Sequence, residues 1–167
     1  MTDQIRSPAG YAAEIGAARD RLIGFVHGCT DEQWRSAPLA GDPRPVAVVV
    51  DHVADAYEYL AGWLRDLLAG KTVAVNGDIV DALNAEHAQA AATVSRTAAA
   101  EHLARSGTAM SELVAGLSTA DLAAGDGQAR RFAQIAIRHA DNHRADIEAA
   151  LAAGGGSPVS PPGPGRG

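Results

Sequence analysis

The sequence predicts an all-α protein: a four-helix bundle with a long crossover connection and one short extra helix. Three observations carry this. Four long segments repeat apolar residues at the 3.6-residue spacing of a helix face. Helix caps or glycine and proline punctuate the joins between segments. No segment holds the period of two that a half-buried strand needs; residues 46–50 are β-branched, but the helical pattern runs on past them.

The first helix opens at Ser7-Pro8, with serine as N-cap and proline at the first helical position. Tyr11, Ile15, Ala18, Leu22 and Phe25 form its stripe, and Gly28 ends it. His27 falls in the last turn, where positive charge suits the helix dipole, and reads as structural or exposed. Thr30 to Gln33 has capping-box spacing and starts a short turn carrying Trp34, a lid on the core. Pro38, Gly41, Pro43 and Pro45 then make a broken connection. Its length makes a crossover plausible and leaves an up-down-up-down order unassured.

The second long helix spans about 46–69 and closes at Gly70. Val49, Val53, Ala56, Leu60, Leu64 and Leu67 share a face. His52 lies on its flank near Trp63 and should look inward, whereas Asp51, Asp55, Glu58 and Arg65 should point away. Asp78 can cap a shorter helix to about residue 92, with Ile79, Leu83 and Glu86 as its inward set and His87 among its surface groups. Ser95 or Thr97 caps the next helix, which ends near Leu117 on a stripe of Leu103, Met110, Leu113, Val114 and Leu117. His102 beside that stripe is expected at the rim or in solvent. A short turn begins at Ser118, residues 125–127 form a loop, and the last helix runs from about 128 to 153. Residues 1–153 are expected to form one domain, with 154–167 a disordered Gly/Pro/Ser tail.

Composition narrows the function. The chain has 167 residues, 47% hydrophobic and 20% charged, enough for one domain with a real core. The net charge of -6 shows no basic stripe, which disfavours nucleic acid. The lone Cys29 cannot close an internal disulfide and reads as a small buried hydrophobe, so a cytoplasmic location is expected. The N-terminus lacks an apolar signal core and no apolar run can span a bilayer, so no membrane partner is expected.

The stretch Arg138 to Ile147 carries the chemistry. His139 and His143 are one turn apart on one face. That face also carries Phe132, Ile135, Ala136, Ile147 and Ala150. Arg130, Arg138, Asp141, Arg144 and Glu148 fall on the other. Buried imidazoles need partners. These could be the carboxylate or amide of Asp146 or Asn142, or a metal ion. His52 is a third inward histidine, and bundle-core metal sites draw ligands from facing helices. No glutamate follows His139 in the order of the helical metalloprotease motif.

Three segments in order resemble the DinB/YfiT-like superfamily: Arg44 to Asp55 around His52, Asn84 through Leu117, and Ile137 to Ile147. The resemblance covers about residues 8–153. It implies a four-helix bundle with a long crossover and a metal held by His52, His139 and His143. The implied ion is divalent: zinc first, with nickel or another transition metal as alternatives. It further implies a low-molecular-weight thiol as co-substrate, mycothiol foremost, acting on a small electrophile. The function expected from it is a metal-dependent thiol S-transferase; the alternative is a non-catalytic metal-binding stress or accessory protein. Some relatives carry glutamate where this chain has His139, which argues against a maleylpyruvate isomerase. Asp146 is a candidate to orient His143, or else a salt-bridge partner of a nearby arginine. Asn84 and His87 are candidates for the pocket rim. A homodimer is compatible with the sequence.

Overall fold

The computed structural model describes residues 6–91 and 93–154. Those residues are all-α, with no strand among them. Seven helices follow one another: α1 (Pro8–Gly28), α2 (Asp31–Arg35), α3 (Val46–Leu68), α4 (Gly77–Ala90), α5 (Arg96–Ala115), α6 (Thr119–Leu122) and α7 (Ala124–Gly154). Residues 1–5 and the stretch 155–167, most of the expected tail, lie outside the described residues; Gly154 closes α7.

Local chemistry sets the boundaries. Ser7 Oγ accepts from the Gly10 amide and Pro8 occupies the first turn, so α1 starts there. Thr30 and Gln33 bond reciprocally to cap α2, and Ser118 and Asp121 do the same for α6. Asn76 caps α4, two residues ahead of the expected Asp78, because its side chain reaches the Ile79 amide. Ser95, not Thr97, caps α5. Within α7, Gly125, Asp126 and Gly127 all have positive φ, so the continuous helix begins at about Gln128. Glycine suits two of these left-handed positions.

The four long helices form the bundle. α1 packs against α5 and α7, and α3 packs against the same two. Helices α1 and α3, consecutive among the long ones, therefore face each other across the diagonal. The proline-rich connection is the crossover that permits this. The core draws on all four: Ile15 and Leu22 of α1, Val49 and Leu64 of α3, Leu103 and Met110 of α5, and Ala133 and Ile147 of α7 are fully buried or nearly so. Trp34 closes one end, donating from Nε1 to the Val94 carbonyl at 3.0 Å. Cys29 is buried, and burial raises its thiol pKa.

Several expectations need correction. Every residue from Val46 to Ala54 is buried, Asp51 included, and Asp55 is half-buried. Asp51 and Asp55 do not point away: α3 is covered on more than its stripe, by α4, α5 and α7. An apolar run unbroken around a helix is the mark of one buried on all sides. On α4, Leu83 faces inward, but Ile79 is 41% exposed and Glu86 is exposed, while His87 is buried. Ile135 is 38% exposed, at the mouth of a cavity described below. No helix of the described residues is long and apolar enough to cross a membrane.

Candidate metal centre

Three imidazoles from two helices meet in the bundle. His139 and His143 stand one turn apart on α7, their ring centroids 4.5 Å apart. His52 reaches them from α3, with centroids 4.8 Å from His139 and 5.6 Å from His143. Its Nε2 lies 3.0 Å from Nε2 of His139. One ligand nitrogen from each ring lies within 4.8 Å of the other two.

The spacing of His52 and His139 fits a metal. Two nitrogens each about 2.0–2.1 Å from an ion lie roughly 2.9–3.4 Å apart for angles from perpendicular to tetrahedral. The observed 3.0 Å falls in that interval. In the absence of an ion, one of the facing Nε2 atoms must donate its proton to the other. His52 Nδ1 is buried and makes no hydrogen bond.

Electrostatics keeps all three rings neutral, the state a ligand requires. Burial is the main cause. It pushes His52 down to about 3 and His139 down to about 4, and it lowers His143. The neighbouring imidazoles add to the shift at His52 and His139, and the Arg44 guanidinium opposes protonation of all three. Arg44 stands at the end of the crossover, clamped to Asp42 by hydrogen bonds of 2.7 to 3.1 Å. That clamp holds the Asp42 carboxyl below its ordinary value. Arg44 lies outside every helical stripe, so periodicity assigns it no role. The available signal was an Asp-Pro-Arg-Pro sequence feeding directly into the helix of His52.

A cavity of about 430 Å³ opens beside the trio, with His52 and His139 in its wall. Leu60, Trp63, Phe132 and Leu83 line its apolar part, and Asn84, Gln128 and Arg131 supply polar groups. Tyr59 and Trp63 stack with ring centroids 6.2 Å apart. Few polar groups in a mostly apolar concavity is the usual composition of a small-molecule site.

The other candidates divide. Asn84 lines the cavity. His87 does not. It is 5% exposed and bonds through Nδ1 to Asp55, with Nε2 3.7 Å from Asp51 Oδ2. The expected rim position is overturned because α4 turns this residue toward the carboxylates of α3. His102 is likewise not a solvent group: Nδ1 is 3.0 Å from Asp51 Oδ1 and Nε2 is 3.1 Å from Glu58 Oε1. Burial pulls both rings down, but the hydrogen bonds and charges of Asp55 and Asp51 at His87, and of Asp51 and Glu58 at His102, outweigh it and raise them. The Val48 carbonyl adds a weaker pull on His87, out of hydrogen-bond geometry with its Nε2. Asp146 is exposed, and although its charge favours protonated His143, among the described residues it makes neither a hydrogen bond to that ring nor an ion pair with an arginine. Asn142 is also exposed and bonds to neither histidine. Arg138 is exposed, and Arg144 pairs with Glu148 at 2.6 Å.

No curated protein and no solved structure matches the chain. The sequence model of the DinB superfamily matches residues 14–147, a span that holds His52, His139, His143 and the helices that present them. The chain therefore belongs to the DinB superfamily.

Proposed function

We propose that the protein is a metal-dependent thiol S-transferase acting on small electrophiles, with a divalent metal held by His52, His139 and His143. The carrying observation is that the apolar cavity opens onto two of the three imidazoles. A site built only to store an ion has no need of such a chamber.

The donor set suits zinc first and nickel or another transition metal next, since imidazole serves each. When bound, the metal supplies a positive charge that deprotonates a thiol at neutral pH. The chain's own residues do the rest. Neutral imidazoles would hold the ion, and burial, with a smaller contribution from Arg44, keeps them from taking up protons. Trp63, Phe132, Leu60 and Leu83 exclude water and hold the apolar body of the electrophile. Asn84, with the groups of Gln128 and Arg131 not already bonded to the Val73 and Asp126 carbonyls, would orient its polar groups. In the reaction the sulfur lone pair forms a C–S bond, the leaving group departs with the electrons of its own bond, and the thiol proton passes to solvent.

The thiol is proposed to be of the mycothiol type. The test is conjugation of a bimane electrophile by zinc-loaded protein with mycothiol, bacillithiol or glutathione. Turnover with mycothiol and loss of turnover in His139→Ala are expected. Stoichiometric metal without conjugation of any thiol would overturn the transferase reading in favour of a non-catalytic metal-binding protein.

A further inference from the structure

The residues that the three-histidine centre does not use form a second cluster on an adjoining face of α3, the His87 ring centroid 6.0 Å from that of His52. Asp51, Asp55 and Glu58 follow the i, i+4, i+7 spacing of one helix stripe. His87 of α4 and His102 of α5 close over them. We infer that Asp55, Glu58 and His102 form a second divalent-metal site, distinct from the trio, with Asp51 and His87 orienting its ligands.

Geometry comes first. His102 Nε2 is 3.1 Å from Glu58 Oε1 and 3.7 Å from Asp55 Oδ1. One ligand atom from each of the three residues lies within 4.8 Å of the others. The outer contacts have the pattern of metal sites, where a carboxylate fixes the far nitrogen of a ligating histidine and ligating carboxylates are themselves bonded. Asp51 Oδ1 meets His102 Nδ1 at 3.0 Å, which turns Nε2 toward the other two ligands. His87 Nδ1 bonds Asp55 Oδ2, leaving Oδ1 facing His102.

Charge points the same way. Three carboxylates face two imidazoles, and among the described residues no lysine or arginine pairs with any of the three. Even with both rings protonated, three negative charges exceed two positive ones. A partly buried cluster with uncompensated negative charge is costly; a dication that displaces the Nε2 proton of His102, with His87 still protonated, brings the charge to zero. His87 Nε2 bears on the orienting pair. The residue is 5% exposed, yet this nitrogen makes no hydrogen bond and faces Asp51 Oδ2 across 3.7 Å. It is aimed at Asp51, the carboxylate that fixes His102, and so belongs to the orienting pair. Glu58, its side chain 56% exposed, provides the way in from solvent.

The mixed oxygen and nitrogen donors differ from the all-imidazole trio and suit a first-row dication such as zinc or manganese. The competing description is a closed ion-pair network with His102 protonated between Asp51 and Glu58.

Zinc retained by the full chain after dialysis, measured by elemental analysis with circular dichroism as the folding control, separates the two. The native protein is expected to retain two equivalents. Glu58→Gln and His102→Gln should each retain one, and His139→Ala should also retain one. The half-exposed, isosteric Glu58→Gln decides the matter if His102→Gln fails to fold. The inference is overturned if folded Glu58→Gln retains as much zinc as the native chain, or if the native chain retains one equivalent that His139→Ala loses. A single equivalent lost in Glu58→Gln but kept in His139→Ala would uphold this site while removing the trio's.

Discussion

Five of the six histidines lie in two groups on adjoining faces of α3, and the groups have opposite electrostatics. His52, His139 and His143 are surrounded by one another, apolar side chains and Arg44, with the His87 ring 6.0 Å from His52, and their pKa values are all lowered, burial being the main cause. His87 and His102 face Asp51, Asp55 and Glu58, and theirs are raised. Asp51 and His52 are neighbours in sequence yet belong to different groups. The protonation of an imidazole thus follows from the helix face it occupies, not from its residue type.

The strongest way to test the contrast is to remove a ligand from the neutral group. His139→Ala should weaken zinc binding at the trio by on the order of 100-fold or more, since loss of orienting partners alone costs roughly 10–100-fold. Competition with a chromogenic chelator measures it, and an unchanged affinity there would refute the ligand assignment.

The two groups should next respond to pH in opposite directions in the metal-free protein. For the trio, the unfolded chain takes up protons below about pH 6.5 while folded His52 and His139 resist until about 3 and about 4. Stability should therefore fall as pH drops from 6.5 towards 4. For His87 and His102 the folded values lie above the ordinary one, so their contribution is fully present below pH 6.5 and fades as pH rises through the raised values. Urea unfolding across pH reads both limbs. His52→Leu should flatten the acid limb, and His102→Gln the other. A profile unchanged by either variant would remove the contrast.

Smaller effects sharpen it. Trp63→Ala, in the cavity wall, should raise KM for apolar electrophiles by roughly 10-fold with little effect on zinc affinity, because it removes apolar contact and no ligand. An equal loss of zinc would show that the cavity wall also shapes the metal centre. Smallest of all, Arg21→Ala breaks the bidentate pair with Asp141, at 2.7 and 3.0 Å, between α1 and α7. Both side chains are substantially exposed, so the cost should be about 0–1 kcal/mol in thermal unfolding, without change in either histidine group.

Much of this was legible in the sequence. The four long helices followed from their stripes, and the inward aim of His52, His139 and His143 followed from where they fall on them. The acidic group did not. Periodicity assigns one inward face per helix, whereas α3 is wrapped by three neighbours, so periodicity turns Asp51 and Asp55 outward although the apolar run around them is nearly unbroken. His87 was misplaced because α4 has a weak stripe and packs chiefly on α3, so tertiary contact and not local pattern sets its rotation. Arg44 acts through the crossover, whose path no helical period encodes.

The diagonal placement of α1 and α3 bears on how an ion is captured. His52 and His139 are 87 residues apart, and the rings meet only when the full circuit of helices has closed. Before that, the chain offers at most two imidazoles on a single helix, a weak chelator. The entropy of closing so long a loop falls on helix packing, and the ion then arrives at ligands already gathered. Its binding free energy accordingly adds to the stability of the whole domain by mass action, and local fraying of one helix end gives the ion no easy exit.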